Sequence, residues 1–212
     1  MSERGTDKAE SLTTAARKFE RASFGAESPA WRRSQSEIIA DCRVFQVRRD
    51  LSVCPRGGGE HDFYVLEATD WINIIPLTMD DEVVMIEQYR HGSEEVTLEI
   101  PGGMVDAGED AQTAAAREML EETGYAAPDK VISLGKARPN PAIHNNWIHT
   151  FLARDVRFAQ APEFDHTEHT IVRLVPLADV PALIADETIN HSLVINGFYR
   201  FSLYQQGFLT VR

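Results

Sequence analysis

The chain has 212 residues, 43% of them hydrophobic and 25% charged, the make-up of a globular protein able to bury a substantial core rather than of a disordered or fibrous one. Its 33 acids against 21 Lys and Arg leave a net charge of −12, which excludes a nonspecific nucleic-acid or membrane-surface binder, because either would need a basic face. Only Cys42 and Cys54 occur, too few for a disulfide framework and without metal-ligand spacing. No apolar run approaches the roughly 18 residues of a membrane-spanning helix, and no signal segment opens the chain, so the expected location is the cytoplasm.

Residues 1–33 are polar and rich in small side chains, and read as a flexible N-terminal tail; a thin stripe of Leu12, Ala15, Ala16, Phe19 and Ala22 is the only helical signal in it. From Ser36 the period changes to that of strands. Ile38 to Val53 alternates at Phe45 and Val47 and again at Leu51 and Val53, and the turn Gly57-Gly58-Gly59 separates it from Phe63-Tyr64-Val65-Leu66. This predicts a small antiparallel β-domain over residues 34–68, ahead of a main domain over 69–212. In the main domain, Trp71 to Thr78 and Val83 to Tyr89 form a hairpin about Met79-Asp80-Asp81-Glu82, and Thr97 to Ile100 is a strand leading into Pro101-Gly102-Gly103.

The segment Gly102 to Tyr125, GGMVDAGEDAQTAAAREMLEETGY, carries the chemistry. Asp110 is placed to cap a helix and Gly124 to end it in the left-handed conformation. At about 100° per residue, Glu118, Glu121 and Glu122 share one face, with Ala111, Ala114 and Ala115 continuing it; Ala116, Met119, Leu120 and Thr123 are expected on the core side. Glutamates so spaced repel by about 0.2–0.5 kcal/mol per pair, a liability that a divalent cation converts into a site. Carboxylates without thiolate or imidazole suit a hard ion, Mg²⁺ or Mn²⁺. The alternative is a solvated acidic face, which leaves the Gly-Gly loop, the cap and the adjacent Arg117 unexplained.

After this helix, Val131 to Ala137, Trp147 to Ala153 and Thr170 to Val175 read as strands, with the turn Pro139-Asn140-Pro141 between the first two. Val180 to Ala185 reads as a short helix and Ser192 to Gln206 as a longer amphipathic one capped by Ser192. Strands with intervening helices make an α/β layered domain.

The acidic segment resembles a Nudix box, G-x5-E-x7-R-E-U-x-E-E-x-G-U with U aliphatic: Gly103, Glu109, Arg117, Glu118, Glu121, Glu122 and Gly124 occupy the fixed positions, and Met119 and Tyr125 the apolar ones. Beyond it, Asp70-Trp71, Gln88-Tyr89-Arg90, Leu98-Glu99-Ile100-Pro101-Gly102-Gly103 and a proline past the box, Pro139 or Pro141, are similar to the ADP-ribose and nucleoside-diphosphate-sugar pyrophosphatase branch. That resemblance implies an α/β/α sandwich, an N-terminal β-domain often exchanged between subunits, a homodimer, and cleavage of ADP-ribose or a related nucleoside-diphosphate sugar. It implies Glu118 and Glu122 as principal metal ligands, with Glu121 and the Gly102 carbonyl assisting, and Arg117 as an orienting residue.

A further acid outside the box falls at Glu168, as a metal ligand, a general base, or a solvated loop carboxylate. For substrate contacts the candidates are Arg90 and Glu99, against a structural ion pair of Arg90 to Glu99 or another acid; Trp71, against a core role; and His144 and Asn145, against turn formation. Two other functions stay open: a nucleoside-triphosphate sanitising hydrolase, and an ADP-ribose sensor without catalysis. The intact glutamate set speaks against the sensor and the outer motifs against the triphosphate branch.

Overall fold

The computed structural model describes residues 21, 24–25, 28–163 and 169–209; the N-terminal stripe and Glu168 lie outside them. The chain begins with a three-stranded antiparallel sheet, β1 (Arg32–Asp41), β2 (Gln46–Val53) and β3 (Glu60–Glu67), paired in that order. The stretch expected as one run from Ile38 is therefore two strands, reversed through Cys42–Phe45 with Arg43 at φ 68°. β1 also starts at Arg32, ahead of the apolar pattern, because RRSQSEIIAD is exposed along its whole length and is held by its ladder to β2 rather than by a buried face. This sheet has a polar centre. Asp50, 6% exposed, receives Arg48 in a paired fork (Nε at 2.9 Å to Oδ1, Nη2 at 2.9 Å to Oδ2) and the Ser36 hydroxyl at 2.6 Å.

The main sheet is built on β4 (Trp71–Leu77) and β5 (Glu82–Arg90), whose hairpin closes through Thr78 and Asp81. β4 is almost continuously buried, as its apolar sequence requires of a central strand. β6 (Glu95–Glu99) pairs with β5 and β7 (Gly102–Met104) with β4, while β4 and β5 themselves meet only near Leu77 and Val83. The two strands thus splay apart, and the gap between them is edged by β6 and β7. That gap is where the chain enters the acidic segment.

α1 (Ala111–Thr123) follows, then β8 (Tyr125–Ala126), β9 (Ile132–Ala137), β10 (Ile148–Arg154), β11 (Arg157–Phe158), β12 (Thr170–Pro176), a 3-10 turn at Leu177–Asp179, α2 (Val180–Ala185) and α3 (Ser192–Gln205). The long sheet runs β12-β5-β4-β10-β9, with β10 parallel to β4, and β8 pairs separately with β11. Alternation along the strands divides the core in two. Ile72, Ile74, Phe151 and Ala153 pack with Ala114, Ala115 and Met119 of α1; Ile75, Leu77 and Leu152 pack with Val194, Phe198 and Phe201 of α3. The result is an α/β/α sandwich with an appended antiparallel sheet. Each large aliphatic side chain so buried is worth about 1.5–3 kcal/mol, which holds α1 and α3 against opposite faces.

Two helix details differ from expectation. Ala114 and Ala115 lie in the core and Ala116 is exposed, because α1 is turned so that its small residues meet the sheet; Leu120 is only half-buried. His191, not Ser192, occupies the cap of α3, with no side-chain capping bond: its carbonyl accepts from the Val194 and Ile195 amides. Among the described residues no helix is long and apolar enough to cross a membrane.

Candidate active site

α1 is positioned by its ends. The Asp110 carboxylate accepts from the Gln112 and Thr113 amides and the Thr113 hydroxyl, and those bonds hold its pKa below the ordinary aspartate range. Gly124 closes the helix at φ 74°, its amide donating to the Leu120 carbonyl. A side chain there would overlap the Gln160 carbonyl, so glycine is required twice over.

With the helix so fixed, Glu118 and Glu122 face the Gly102-Gly103 strand. The Gly102 amide donates to Glu122 Oε2 at 2.9 Å, and Glu122 is 3% exposed. A Cβ on Gly103 would fall on the Glu118 carboxylate, and one on Gly102 would lie 2.6 Å from the Ile72 carbonyl oxygen. The glycines therefore allow two carboxylates to close on one short piece of backbone.

Arg117 ties the rest of the acidic face together. Its Nε and Nη2 reach Glu109 at 3.1 and 3.0 Å, its Nη1 reaches both Glu118 and Glu121 at 3.0 Å, and Nη2 also donates to the Met104 carbonyl at 3.3 Å. The Glu109 bond is the largest influence raising the arginine's pKa further, and in return Arg117 holds the Glu109 carboxyl below its ordinary range. Among the described residues no three acids, histidines or cysteines converge as a ready-made metal cage. The Arg117 guanidinium supplies positive charge to Glu118 and Glu121, 3.0 Å from each. The donors nevertheless fit a hard divalent ion, since Glu118 and Glu122 offer carboxylate oxygens against a backbone cradle that a single Cβ would fill.

Beside the box, a cleft of about 290 Å³ opens where β4 and β5 splay; it is lined by Trp71 and Asn73 of β4, Arg90 of β5, Glu99 of β6, Gly102 and Gly103 of β7, and His191. Glu99, 3% exposed, accepts from Arg90 Nε and Nη2 at 2.7 Å each and from the Thr97 hydroxyl at 2.5 Å. Burial alone pushes its carboxyl up, but the Arg90 fork, aided by Thr97, outweighs this and holds it below the ordinary glutamate range. Arg90 is thus in a structural ion pair and at the cleft wall together, with 39% of its side chain exposed.

Trp71 lines the cleft and meets the His144 ring edge-on at 5.3 Å. His144 and Asn145 are not among the lining residues. His144 bridges to Leu66, and the Asn145 side chain accepts from the Ala68 amide at 3.2 Å, so this loop, which leads into β10 of the main sheet, is joined to the end of the N-terminal sheet. The structure sets Glu118 and Glu122 against the Gly102-Gly103 strand, ties Glu121 to Glu118 through Arg117, and lines the cleft with Arg90, Glu99 and Trp71. Sequence reasoning passed over Asn73 and His191. Asn73 is the polar residue inside the buried strand WINIIPL, a signal for either a satisfied core or a site; His191 had only its place before a helix to mark it.

The family model of the NUDIX domain matches residues 70–196, more than half of the chain. The ADP-ribose pyrophosphatase of Mycobacterium tuberculosis is 29% identical over 181 residues, covering 84% of this chain and 86% of that protein. The ADP-ribose pyrophosphatase of Bacillus subtilis is 29% identical over 119 residues, which span 56% of this chain and 64%, under two thirds, of that protein. The ADP compounds hydrolase NudE of Escherichia coli is 28% identical over 136 residues, 64% of this chain and 72% of its own. In fold, the chain superposes on the crystal structure of an ADP compounds hydrolase with a TM-score of 0.73 at 24% identity, covering 84% of this chain and 95% of the other. With the box geometry, the matched span of the domain model and these relatives in agreement, the chain belongs to the Nudix family of hydrolases.

Proposed function

We propose that this Nudix hydrolase cleaves ADP-ribose or a related nucleoside-diphosphate sugar into a nucleoside monophosphate and a sugar phosphate. The observation that carries the reading is the closure of Glu118 and Glu122 on the Gly102-Gly103 strand beside a cleft walled by Arg90. The names of the relatives, ADP-ribose pyrophosphatase and ADP compounds hydrolase, support the substrate class.

In this reading Glu118 and Glu122 are the principal ligands of a divalent cation, with Glu121 and the Gly102 carbonyl assisting. A divalent cation held there, Mg²⁺ or Mn²⁺, would supply charge to neutralise diphosphate oxygens and to make water a stronger nucleophile. Arg117 orients the acidic face, and Arg90, its Nε–Nη2 edge held by Glu99, turns the other edge of its guanidinium to the diphosphate. Trp71 forms an aromatic wall for the nucleoside or the sugar. The water oxygen bonds to one phosphorus, the bridging P–O bond breaks, and the leaving phosphate carries the bond's electrons away; Glu168 takes the water's proton or joins the ligand set. For ADP-ribose the products are AMP and ribose 5-phosphate.

The same reading has three further parts. The N-terminal sheet, over 34–68 with β1 extending it back to Arg32, is a small domain distinct from the hydrolase domain over 69–212. Its exposed Ile38, Ile39, Phe63 and Tyr64 support pairing with a second copy as a homodimer. The free thiols, Cys42 exposed and Cys54 half-buried, support action in the reducing cytoplasm. Chromatography of the products tests the reaction itself. Equal amounts of AMP and ribose 5-phosphate from ADP-ribose are expected, and turnover confined to nucleoside triphosphates would overturn it.

A further inference from the structure

His191 has no part in the box chemistry, yet it stands in the wall of the cleft next to the Arg90–Glu99 pair. Its backbone is fixed, because its carbonyl accepts the first amides of α3. Its ring faces that pair on one side: Nδ1 is buried, has no hydrogen-bond partner, and lies 3.8 Å from Glu99 Oε2. The side chain as a whole is 33% exposed, so its accessible surface belongs to the other ring atoms, on the Nε2 side. Burial, the main influence, holds the imidazole in its neutral form, with Arg90 acting in the same direction and Glu99 opposing both. A neutral imidazole carries one proton, which on Nδ1 faces the Glu99 carboxylate. Nε2 is then an acceptor in the same cleft wall as Arg90.

We propose that His191 is a specificity-determining residue whose Nε2 accepts a hydrogen bond from a hydroxyl of the sugar esterified to the diphosphate. This rests on the pyrophosphohydrolase reading above and names how that site tells a sugar from a simpler group. The remaining surroundings suit a sugar: Trp71 and Ile148 offer apolar surface to its C–H face, and Asn73 lies in the floor. A site built around an acceptor discriminates against ligands lacking the donor, because such ligands leave the acceptor without its bond.

The test compares ADP-ribose with the methyl ester of ADP, which keeps the nucleoside and the diphosphate but has no sugar hydroxyls beyond them. In His191→Leu the ratio of kcat/KM for ADP-ribose over methyl-ADP falls by about tenfold, chiefly through the KM of ADP-ribose, and His191→Gln, which retains an acceptor oxygen, recovers part of the ratio. Equal losses on both substrates would show that His191 only supports the Arg90–Glu99 pair, and an unchanged ratio would show that it reads nothing; either overturns the inference while leaving the parent reading intact. A wild-type protein that cleaves neither compound with any divalent cation would overturn both.

Discussion

At the scale of single residues, Gly102 and Gly103 separate folding from chemistry. An alanine methyl at position 102 would meet backbone, the Ile72 carbonyl oxygen at 2.6 Å, which cannot swing aside. Gly102→Ala is expected to cost about 1–3 kcal/mol of stability, read by urea denaturation. At position 103 the methyl would meet the far end of the flexible Glu118 side chain. Gly103→Ala is expected to unfold within about 1 kcal/mol of the wild type but to lose about 100-fold in turnover, as a displaced ligand should. Equal stability losses in the two variants would contradict this division.

Glu99 gives a test by pH. Its folded carboxyl titrates below the unfolded value, so its contribution to stability is complete above the ordinary glutamate range and is lost as pH falls through the lower folded value. The stability difference between the wild type and Glu99→Gln should shrink as denaturation is followed from about pH 6 to about pH 3. A constant difference would mean that the Arg90 fork does not hold the carboxylate. These residue roles were only partly legible in the sequence. Glu118, Glu121 and Glu122 announced themselves by helical spacing, whereas Glu99 and His191 come together across 92 positions and no local pattern relates them.

At the scale of elements, α1 was legible because its caps are chemical. Asp110 and Gly124 stand where the helix must begin and end, and both make the expected bonds. Asp110→Ala should lower stability by about 1 kcal/mol, measured by thermal or urea unfolding; no change would mean that tertiary packing alone sets the helix start. What the sequence could not convey was the rotation of α1 about its axis. Three alanines in a row, Ala114 to Ala116, give no hydrophobic contrast, so the sheet decides which of them is buried. β1 was harder still. A strand exposed on every residue has no period to read, and its existence rests on hydrogen bonds to β2.

At the scale of the molecule, the splay between β4 and β5 is the feature from which the site follows. It admits β6 and β7, sets the Gly-Gly strand against α1, and opens the cleft on the other side. The box motif made the acidic half of this site readable, while the cleft depends on long-range strand pairing that motifs do not describe. The N-terminal sheet touches the main domain through the Leu66 and Asn145 region, leaving apolar side chains of both outer strands uncovered. Sedimentation of the full chain should therefore give a dimer, and a monomer at all concentrations would contradict the proposed pairing of subunits.

The most direct test of the central claim is ADP-ribose turnover by the wild type and by Glu122→Gln, each titrated with Mg²⁺, with Mn²⁺ and with EDTA. The wild type should hydrolyse ADP-ribose only when a divalent cation is present. Glu122→Gln should remain folded and fall by about 100-fold or more, as expected when a transition-state electrostatic contact is lost. Cation-independent turnover, or a Glu122→Gln variant working at close to the wild-type rate, would contradict the assignment of the box carboxylates as the seat of the reaction.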